Sequence, residues 1–307
     1  MSSHPEQKPK RLTVPGVRAR KGSGPPLTML TAYDYTAARI VDAAGVDLIL
    51  VGDSAANVVL GHTTTLPVTL QQMLDLTAAV RRGAERALVV GDMPFLSYQV
   101  SVPQAIENAG RFLKEAGADA IKLEGGEEVV ETVRAIVRAG IPVMGHVGLT
   151  PQTVSKLGGY KVQGRSALAA RTLVDAAAAL EEAGAFAVVL ECVPSDVSRE
   201  LTERLEIPTI GIGAGPHVDG QVLVYHDMLG LTRGHVPRFV KRYAELAQAS
   251  QAAIEAFVGE VQRGAFPGPE HGFAMSTGEE EKLPGALSLP LRGAVADGLI
   301  APAGDEG

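Results

Sequence analysis

The chain repeats one arrangement of apolar and polar positions. Eight predominantly apolar runs of strand length end in a polar residue or a glycine: LTMLTAY (27–33), LILVGD (48–53), ALVVGD (87–92), AIKLEGG (120–126), PVMGHVGL (142–149), AFAVVLECV (185–193), PTIGIGAG (208–215) and VLVYHDML (222–229). Stretches with helical spacing follow most of them, at 35–44, 70–82, 102–116, 128–139, 166–183 and 195–205, with a longer one at 236–263. The pattern predicts alternating strands and helices.

This alternation determines the expected fold. Strands that are apolar throughout, each followed by a helix, indicate a parallel sheet covered on its outer faces. Eight such units predict an α/β fold of the closed (β/α)₈ TIM barrel class. An open doubly wound sheet is the alternative, because no helical pattern separates Gly215 from Val222. We expect a disordered basic arm at 1–24, the barrel as the catalytic domain at 25–273, and a flexible tail at 274–307.

Composition and charge narrow the class of partner. The 307 residues are 46% apolar and carry a formal net charge of −7, which is typical of a globular protein without attraction to phosphate backbones or anionic lipid. No apolar run is long enough to cross a membrane. We therefore expect a cytoplasmic protein that binds small molecules, with neither nucleic acid nor membrane as a partner. The single cysteine, Cys192, rules out an internal disulfide and a thiolate metal cluster.

Polar side chains stand at the ends of five successive predicted strands. They are Asp53 with Ser54, Asp92, Lys122 with Glu124, His146, and Glu191. The carboxyl ends of barrel strands surround one cavity, and charged groups are seldom buried unless they are paired or bound to a metal. We expect these side chains to converge on a single pocket.

The carboxylates among them favour a metal site. Asp53 and Asp92 each follow Val-Gly at the end of a strand; either alone fits a helix cap or a turn, but the pair fits a shared cation. Oxygen ligands without a Cys or His pair favour Mg²⁺ over Zn²⁺. Glu124 and Lys122 share one strand face, where a plain ion pair is the alternative.

The remaining groups suggest a reaction. Glu191 ends a very apolar strand, where loss of water favours proton uptake by a carboxylate, as a general base requires. A metal that chelates a 2-oxo acid would stabilise the enolate formed by proton abstraction, and Lys122 would neutralise the substrate carboxylate. The enolate could then attack a one-carbon or aldehyde electrophile. His146 is either a pocket residue or a satisfied core histidine.

Nine motifs in order along the chain resemble one family. They are TAYDY (31–35), VGDS (51–54), GHTTTLPVT (61–69), GDMPF (91–95), IKLEGG (121–126), GHVGLTPQ (145–152), GGYKVQGR (158–165), LECVP (190–194) and IGIGAG (210–215). Together they resemble the ketopantoate hydroxymethyltransferase family over about residues 25–270. The resemblance implies a barrel of the phosphoenolpyruvate/pyruvate type, assembled as a homodecamer. It also implies transfer of a hydroxymethyl group from 5,10-methylenetetrahydrofolate to 3-methyl-2-oxobutanoate in pantothenate and coenzyme A biosynthesis.

The resemblance also assigns roles to matching positions. It implies Mg²⁺ binding by Asp53, Asp92 and Glu124, and proton acceptance by Glu191. The residues that match contacts to the oxo acid are Asp53, Ser54, Asp92 and Lys122, with His146 where the family keeps a pocket histidine.

Two alternatives keep the barrel but change the function. One is a lyase of the isocitrate-lyase or phosphonopyruvate type, which typically carries a reactive cysteine on a mobile loop, whereas Cys192 lies within a predicted strand. The other is a metabolite-binding barrel without catalysis, which would have little need for a desolvated base such as Glu191.

Overall fold

Eight parallel strands close into a barrel in chain order. The computed structural model describes residues 11–234 and 236–288. The strands are β1 (Leu27–Thr31), β2 (Leu48–Val51), β3 (Leu88–Asp92), β4 (Ala120–Lys122), β5 (Val143–Gly148), β6 (Ala187–Glu191), β7 (Thr209–Ile212) and β8 (Gly220–Leu223). Strand β1 pairs with both β2 and β8, so the barrel is confirmed and the open sheet is wrong.

Helices follow the first six strands in turn. The described helices are α1 (Val14–Arg18), α2 (Tyr35–Ala43), α3 (Ala55–Val58), α4 (Leu70–Gly83), α5 (Val102–Lys114), α6 (Val130–Arg138), α7 (Val154–Leu157), α8 (Ala167–Glu182), α9 (Ser195–Arg204), α10 (Tyr225–Met228), α11 (Leu246–Gln262) and α12 (Leu283–Leu287). No helix lies between β7 and β8, as the sequence indicated. Within the described ranges, no helix is long and apolar enough to span a membrane.

Two predicted elements differ from the observed ones. The run at 222–229 contributes a strand only as far as Leu223, because β8 starts earlier, at Gly220, and its last residues turn into α10. The helix expected at 236–263 starts at Leu246, since the preceding segment folds back and the backbone N–H of Tyr243 donates to Met228 O. Residue 235 lies outside the described residues.

The strands separate two apolar regions. Alternate residues such as Leu88 and Val90 of β3 pack inside the barrel, while Val89 between them packs against the outer helices. A strand's side chains alternate between faces, so the inward series of β3 continues from Val90 to Asp92. The same period carries β5 from Met144 to His146. The lumen is therefore apolar at one end and charged at the other.

The segment before β1 covers the apolar end of the lumen. Val17 of α1 has no exposed surface and packs in the lumen cluster. Three basic side chains of the segment pair with aspartates that immediately precede even-numbered strands: Arg11 with Asp119, Arg20 with Asp47, and Lys21 with Asp219. The expectation of a disordered arm is therefore wrong for residues 11–24, because burial and ion pairing order them. Residues 1–10 lie outside the described residues.

The chain divides into two compact units, with the boundary between Ala247 and Gln248. In the second unit, helix α11 continues to Gln262 and the short helix α12 follows at Leu283–Leu287. Part of the predicted tail therefore has described secondary structure. Residues 289–307 lie outside the described residues, and the flexibility of the tail stays a prediction.

Candidate active site

The carboxyl ends of strands β2 to β6 bring six charged side chains together. These are Asp53, Asp92, Lys122, Glu124, His146 and Glu191. The first five are almost fully buried, and the side chain of Glu191 keeps 17% of its surface exposed. The structure thus places these sequence-predicted residues in one connected cluster at the charged end of the lumen.

Lys122 lies between two carboxylates. Asp92 and Lys122 are register partners on β3 and β4, so their side chains project side by side into the lumen. The Lys122 Nζ lies 2.8 Å from Asp92 Oδ1 and 3.9 Å from Glu124 Oε1. The ammonium therefore supplies positive charge to both carboxylates.

The backbone of Asp53 is hydrogen-bonded to the side chain of Asp92. The backbone N–H of Asp53 donates to Asp92 Oδ2 at 3.0 Å, which joins the ends of β2 and β3. Ser54 follows, and its Oγ lies 2.9 Å from the hydroxyl of the buried Tyr33. Gly91 next to Asp92 has no room for a side chain, since a Cβ there would lie 2.4 Å from the ring of Phe112. The glycine at the end of β3 therefore has a structural reason as well as a place beside a candidate ligand.

The carboxylates crowd one another electrostatically. Burial, together with the charges of Asp92 and Glu124, raises the pKa of Asp53 to about 8. Burial also raises the pKa of Asp92, although Lys122 offsets part of this effect. Burial by itself would raise the pKa of Glu124, but His146 and Lys122 together bring it below its ordinary value. The cluster therefore holds more negative charge than its cations neutralise.

The surrounding carboxylates raise the pKa values of the two basic groups in the cluster, Lys122 and His146. Burial alone would lower the pKa of Lys122, but Asp92, Glu124 and Asp53 outweigh it and raise the value. Burial and Lys122 lower the pKa of His146, yet hydrogen bonding to Glu124 and Glu191 raises it to about 9. Both groups are thus stabilised as cations by the surrounding carboxylates.

His146 links the carboxylate cluster to Glu191. Its Nδ1 lies 3.5 Å from Glu124 Oε1 and 3.2 Å from Lys122 Nζ, while its Nε2 lies 3.3 Å from Glu191 Oε2. A neutral ring with its hydrogen on Nε2 can accept from Lys122, and the protonated ring keeps that hydrogen facing Glu191. His146 therefore belongs to the charged cluster, and its role as a pocket residue stays a prediction.

Two uncharged residues of the site were missed by sequence reasoning. Gln152 is 3% exposed and its side-chain Nε2 donates to Asp53 Oδ2 at 3.0 Å, while its backbone N–H donates to Glu124 Oε2 at 3.0 Å. The hydroxyl of Tyr98, which is also buried, donates to Gln152 Oε1 at 2.8 Å. Gln152 ends the motif GHVGLTPQ, but nothing in its spacing indicates a contact with residues so distant in sequence.

Cys192 is unsuited to nucleophilic chemistry. Burial and the neighbouring charge of Glu191 raise the pKa of its thiol to about 12, so the thiolate is scarce near neutral pH. Strand β6 ends at Glu191, so the expectation that Cys192 lies within the strand is wrong, and it is the raised pKa of the thiol that argues against a cysteine nucleophile.

The carboxylates do not form a ready-made cation cage. Among residues 11–234 and 236–288, no group of three or more carboxylate, imidazole and thiolate side chains has the arrangement of a metal site. The ammonium of Lys122 lies within 4 Å of both Asp92 Oδ1 and Glu124 Oε1. The oxygen-rich donor set nevertheless has the chemistry that hard divalent cations prefer.

Solved structures with the same fold include enzymes that act on small organic acids. A phosphonopyruvate hydrolase superposes with a TM-score of 0.57 at 16% identity, covering 90% of this chain and 95% of that one. A 2,3-dimethylmalate lyase of the PEP mutase/isocitrate lyase superfamily superposes with a TM-score of 0.56 at 16% identity, covering 94% and 100%. These similarities show the closed (β/α)₈ barrel fold.

Sequence relatives define the family more closely. A protein from Moorella thermoacetica is 59% identical over 263 residues, 86% of this chain and 98% of the relative, and is named 3-methyl-2-oxobutanoate hydroxymethyltransferase. Relatives of the same name from Syntrophobacter fumaroxidans and Anaeromyxobacter dehalogenans are 56% and 52% identical, covering 90% and 95% of this chain and 97% and 100% of their own lengths. The family model described as ketopantoate hydroxymethyltransferase matches residues 11–269. The chain therefore belongs to the ketopantoate hydroxymethyltransferase family.

Proposed function

We propose that this chain transfers a hydroxymethyl group from 5,10-methylenetetrahydrofolate to 3-methyl-2-oxobutanoate and so forms 2-dehydropantoate, the ketopantoate of pantothenate and coenzyme A biosynthesis. Membership of the family and relatives named for this activity support the assignment. The observation that carries it is the contact between His146 Nε2 and Glu191 Oε2 at 3.3 Å, which places a carboxylate beside the buried carboxylate cluster.

Asp53, Asp92 and Glu124 would hold a divalent cation, for which Mg²⁺ is our proposal. The structural support is the crowding that raises the pKa of Asp53 to about 8, because a cation would neutralise this excess negative charge. When bound, the cation would polarise the keto oxygen of the substrate as a Lewis acid. The same carboxylates would then stay ionised at neutral pH.

The remaining polar residues would bind and orient the oxo acid. Lys122 offers an ammonium group that the surrounding carboxylates keep protonated, so it can pair with the substrate carboxylate. Ser54 can offer its hydroxyl, whose position is set by the contact with Tyr33. The substrate-binding set that we propose is Asp53, Ser54, Asp92, Lys122 and His146.

Glu191 would accept the proton from C3 of the oxo acid. It is the least buried of the clustered carboxylates, and His146 beside it can stabilise its charge before the transfer. The carbanion that would remain at C3 is delocalised into the keto group as an enolate, which would form a C–C bond to the one-carbon unit of the folate donor. Both C–N bonds to that unit would break, and water would supply the hydroxyl oxygen. Tetrahydrofolate would leave with one proton from water and the one that Glu191 took from C3.

Hydrogen exchange separates this function from simple binding. We expect the enzyme with Mg²⁺, but without folate, to exchange the C3 hydrogen of 3-methyl-2-oxobutanoate for deuterium, measured by proton NMR. Glu191→Gln should bind the oxo acid in titration calorimetry yet lose exchange, because the amide cannot accept the proton. Binding without exchange by the wild-type protein would favour a non-catalytic barrel, and normal exchange by the variant would remove Glu191 from the base role.

The family resemblance also supports a homodecamer in the cytoplasm that acts on small molecules. Sedimentation velocity of the full chain tests the assembly, with a particle of about ten 32.0 kDa chains as the expected result. A monodisperse dimer would contradict the decamer without affecting the proposed chemistry.

A further inference from the structure

Gln152 bridges two carboxylates that come from different strands. Its side-chain amide reaches Asp53, which follows β2, and its backbone N–H reaches Glu124, which follows β4. The residue itself lies after β5, at the start of the short segment that leads into α7. A single buried residue thus donates hydrogen bonds to both carboxylates from the same side of the cluster.

The orientation of the amide is fixed by its neighbours. Its Nε2 donates to both Asp53 Oδ2 and the carbonyl oxygen of Met93, each at 3.0 Å, so both of its hydrogens are used. Its Oε1 accepts from the Tyr98 hydroxyl at 2.8 Å. A flipped amide would place oxygen against two acceptors, so only one orientation satisfies the site.

The backbone of Glu124 is held by the same network. Its N–H donates to the Tyr98 hydroxyl at 3.1 Å, and the hydroxyl lies 3.0 Å from Glu124 O. Tyr98 therefore supports both the amide of Gln152 and the chain segment that carries Glu124. An uncharged, buried side chain thus holds Asp53. The backbone N–H of Gln152 holds one oxygen of Glu124, while Lys122 and His146 lie near the other.

We propose that Gln152 is a positioning residue for the divalent cation, and that it sets the orientation of Asp53 and Glu124 with the support of Tyr98. This inference rests on the proposed function, because it assumes the cation site. Hydrogen bonds that hold ligating carboxylates typically change metal affinity 10- to 100-fold when they are removed, and they act without touching the ion.

The test is the dissociation constant for Mg²⁺, measured by isothermal titration calorimetry on the full chain without substrate. Gln152→Met keeps the length of the side chain and the backbone N–H to Glu124, but removes the donor to Asp53. We expect its dissociation constant to rise about 10- to 100-fold. Tyr98→Phe removes one hydroxyl, and we expect a smaller rise in the same direction because the amide is no longer fixed in orientation.

Thr77→Val is the matched control. Thr77 is also buried, and its hydroxyl donates to Met73 O within α4, so this variant loses a buried hydrogen bond that reaches no carboxylate. Thermal melting of the metal-free proteins measures the structural cost of each change. A purely structural role for Gln152 would lower the melting temperature and leave the Mg²⁺ constant of the folded protein unchanged, as in the control.

The outcomes are distinct. Weaker Mg²⁺ binding in Gln152→Met and Tyr98→Phe, with wild-type affinity in Thr77→Val, supports the inference. A wild-type constant in every folded variant of Gln152 and Tyr98 overturns it while the proposed function stands. If the wild-type protein itself binds no Mg²⁺ at millimolar concentration, both the cation site and the role of Gln152 are wrong.

Discussion

The burial of Val17 in the lumen predicts that helix α1 stabilises the barrel. Val17 has no exposed surface and packs in the cluster that includes Leu27 and Leu48 of the first two strands. Val17→Ala removes two buried methyl groups at about 0.8 kcal/mol each, and the cavity that remains adds a cost of similar size. We expect the free energy of unfolding to fall by about 2–3 kcal/mol, which corresponds to about 3–6 °C in melting temperature for a chain of this length.

Thermal melting and urea unfolding followed by circular dichroism measure this change. Val100→Ala is the control, because Val100 is 64% exposed and the same substitution there should cost less than about 0.5 kcal/mol. Binding of Mg²⁺ at low temperature should be unchanged in both variants, since Val17 lies at the end of the barrel opposite the charged cluster. Equal stability of the two variants would refute the view that α1 closes the lumen.

Three further predictions concern the charged end of the barrel. Asp92→Ala should weaken Mg²⁺ binding in calorimetry much more than it lowers the melting temperature; an unchanged titration would exclude Asp92 as a ligand. Asp53→Asn should raise the melting temperature in EDTA and abolish Mg²⁺ binding. The stability of Asp53→Asn relative to the wild type should increase between pH values of about 4 and 8. In the folded wild type the pKa of Asp53 lies above the ordinary 3.8, so the wild type loses the stabilisation that comes from protonated Asp53 as the pH rises. A lower melting temperature for Asp53→Asn than for the wild type in EDTA would contradict the electrostatic repulsion between Asp53 and its neighbouring carboxylates. Cys192 should react with iodoacetamide about 10³-fold more slowly in the native than in the urea-unfolded protein, since its pKa of about 12 lies well above the ordinary 9.0; equal rates would contradict its burial.

The strands and the charged cluster were predictable because both follow from local alternation. Inward positions in a strand recur at every second residue, so Asp92 must face the same lumen as Val90. The parallel register then brings Asp92 beside Lys122 without any further information. Family motifs added the substrate and the donor, which no spacing of residues could supply.

The parts that were not predicted depend on contacts between distant segments. Strand β8 begins at Gly220, which resembles a turn in the sequence, yet a Cβ there would lie 2.7 Å from Leu27 O, so close pairing with β1 requires glycine. The ordering of residues 11–24 depends on apolar contacts of Val17 with the strands and on ion pairs such as that of Lys21 with Asp219. Gln152 reaches a carboxylate 99 positions away. None of these contacts leaves a periodic signal.

The apolar end of the lumen contributes to the stability of the fold, whereas the charged end carries the candidate active site. At the apolar end, aspartates that precede β2, β4 and β8 each accept a hydrogen bond from the backbone of the preceding strand and also pair with a basic residue of the N-terminal segment. Each of these carboxylates therefore has both a backbone donor and a basic partner. At the other end, Asp53 and Asp92 are buried with less compensation, and their raised pKa values reflect an energetic cost that a well-packed apolar layer would not carry. A substitution that removes charge at the cation site but keeps the size of the side chain, such as Asp53→Asn, should therefore stabilise the fold in the absence of the cation. Substitutions at the α1 end, such as Val17→Ala, should weaken the fold without altering the chemistry.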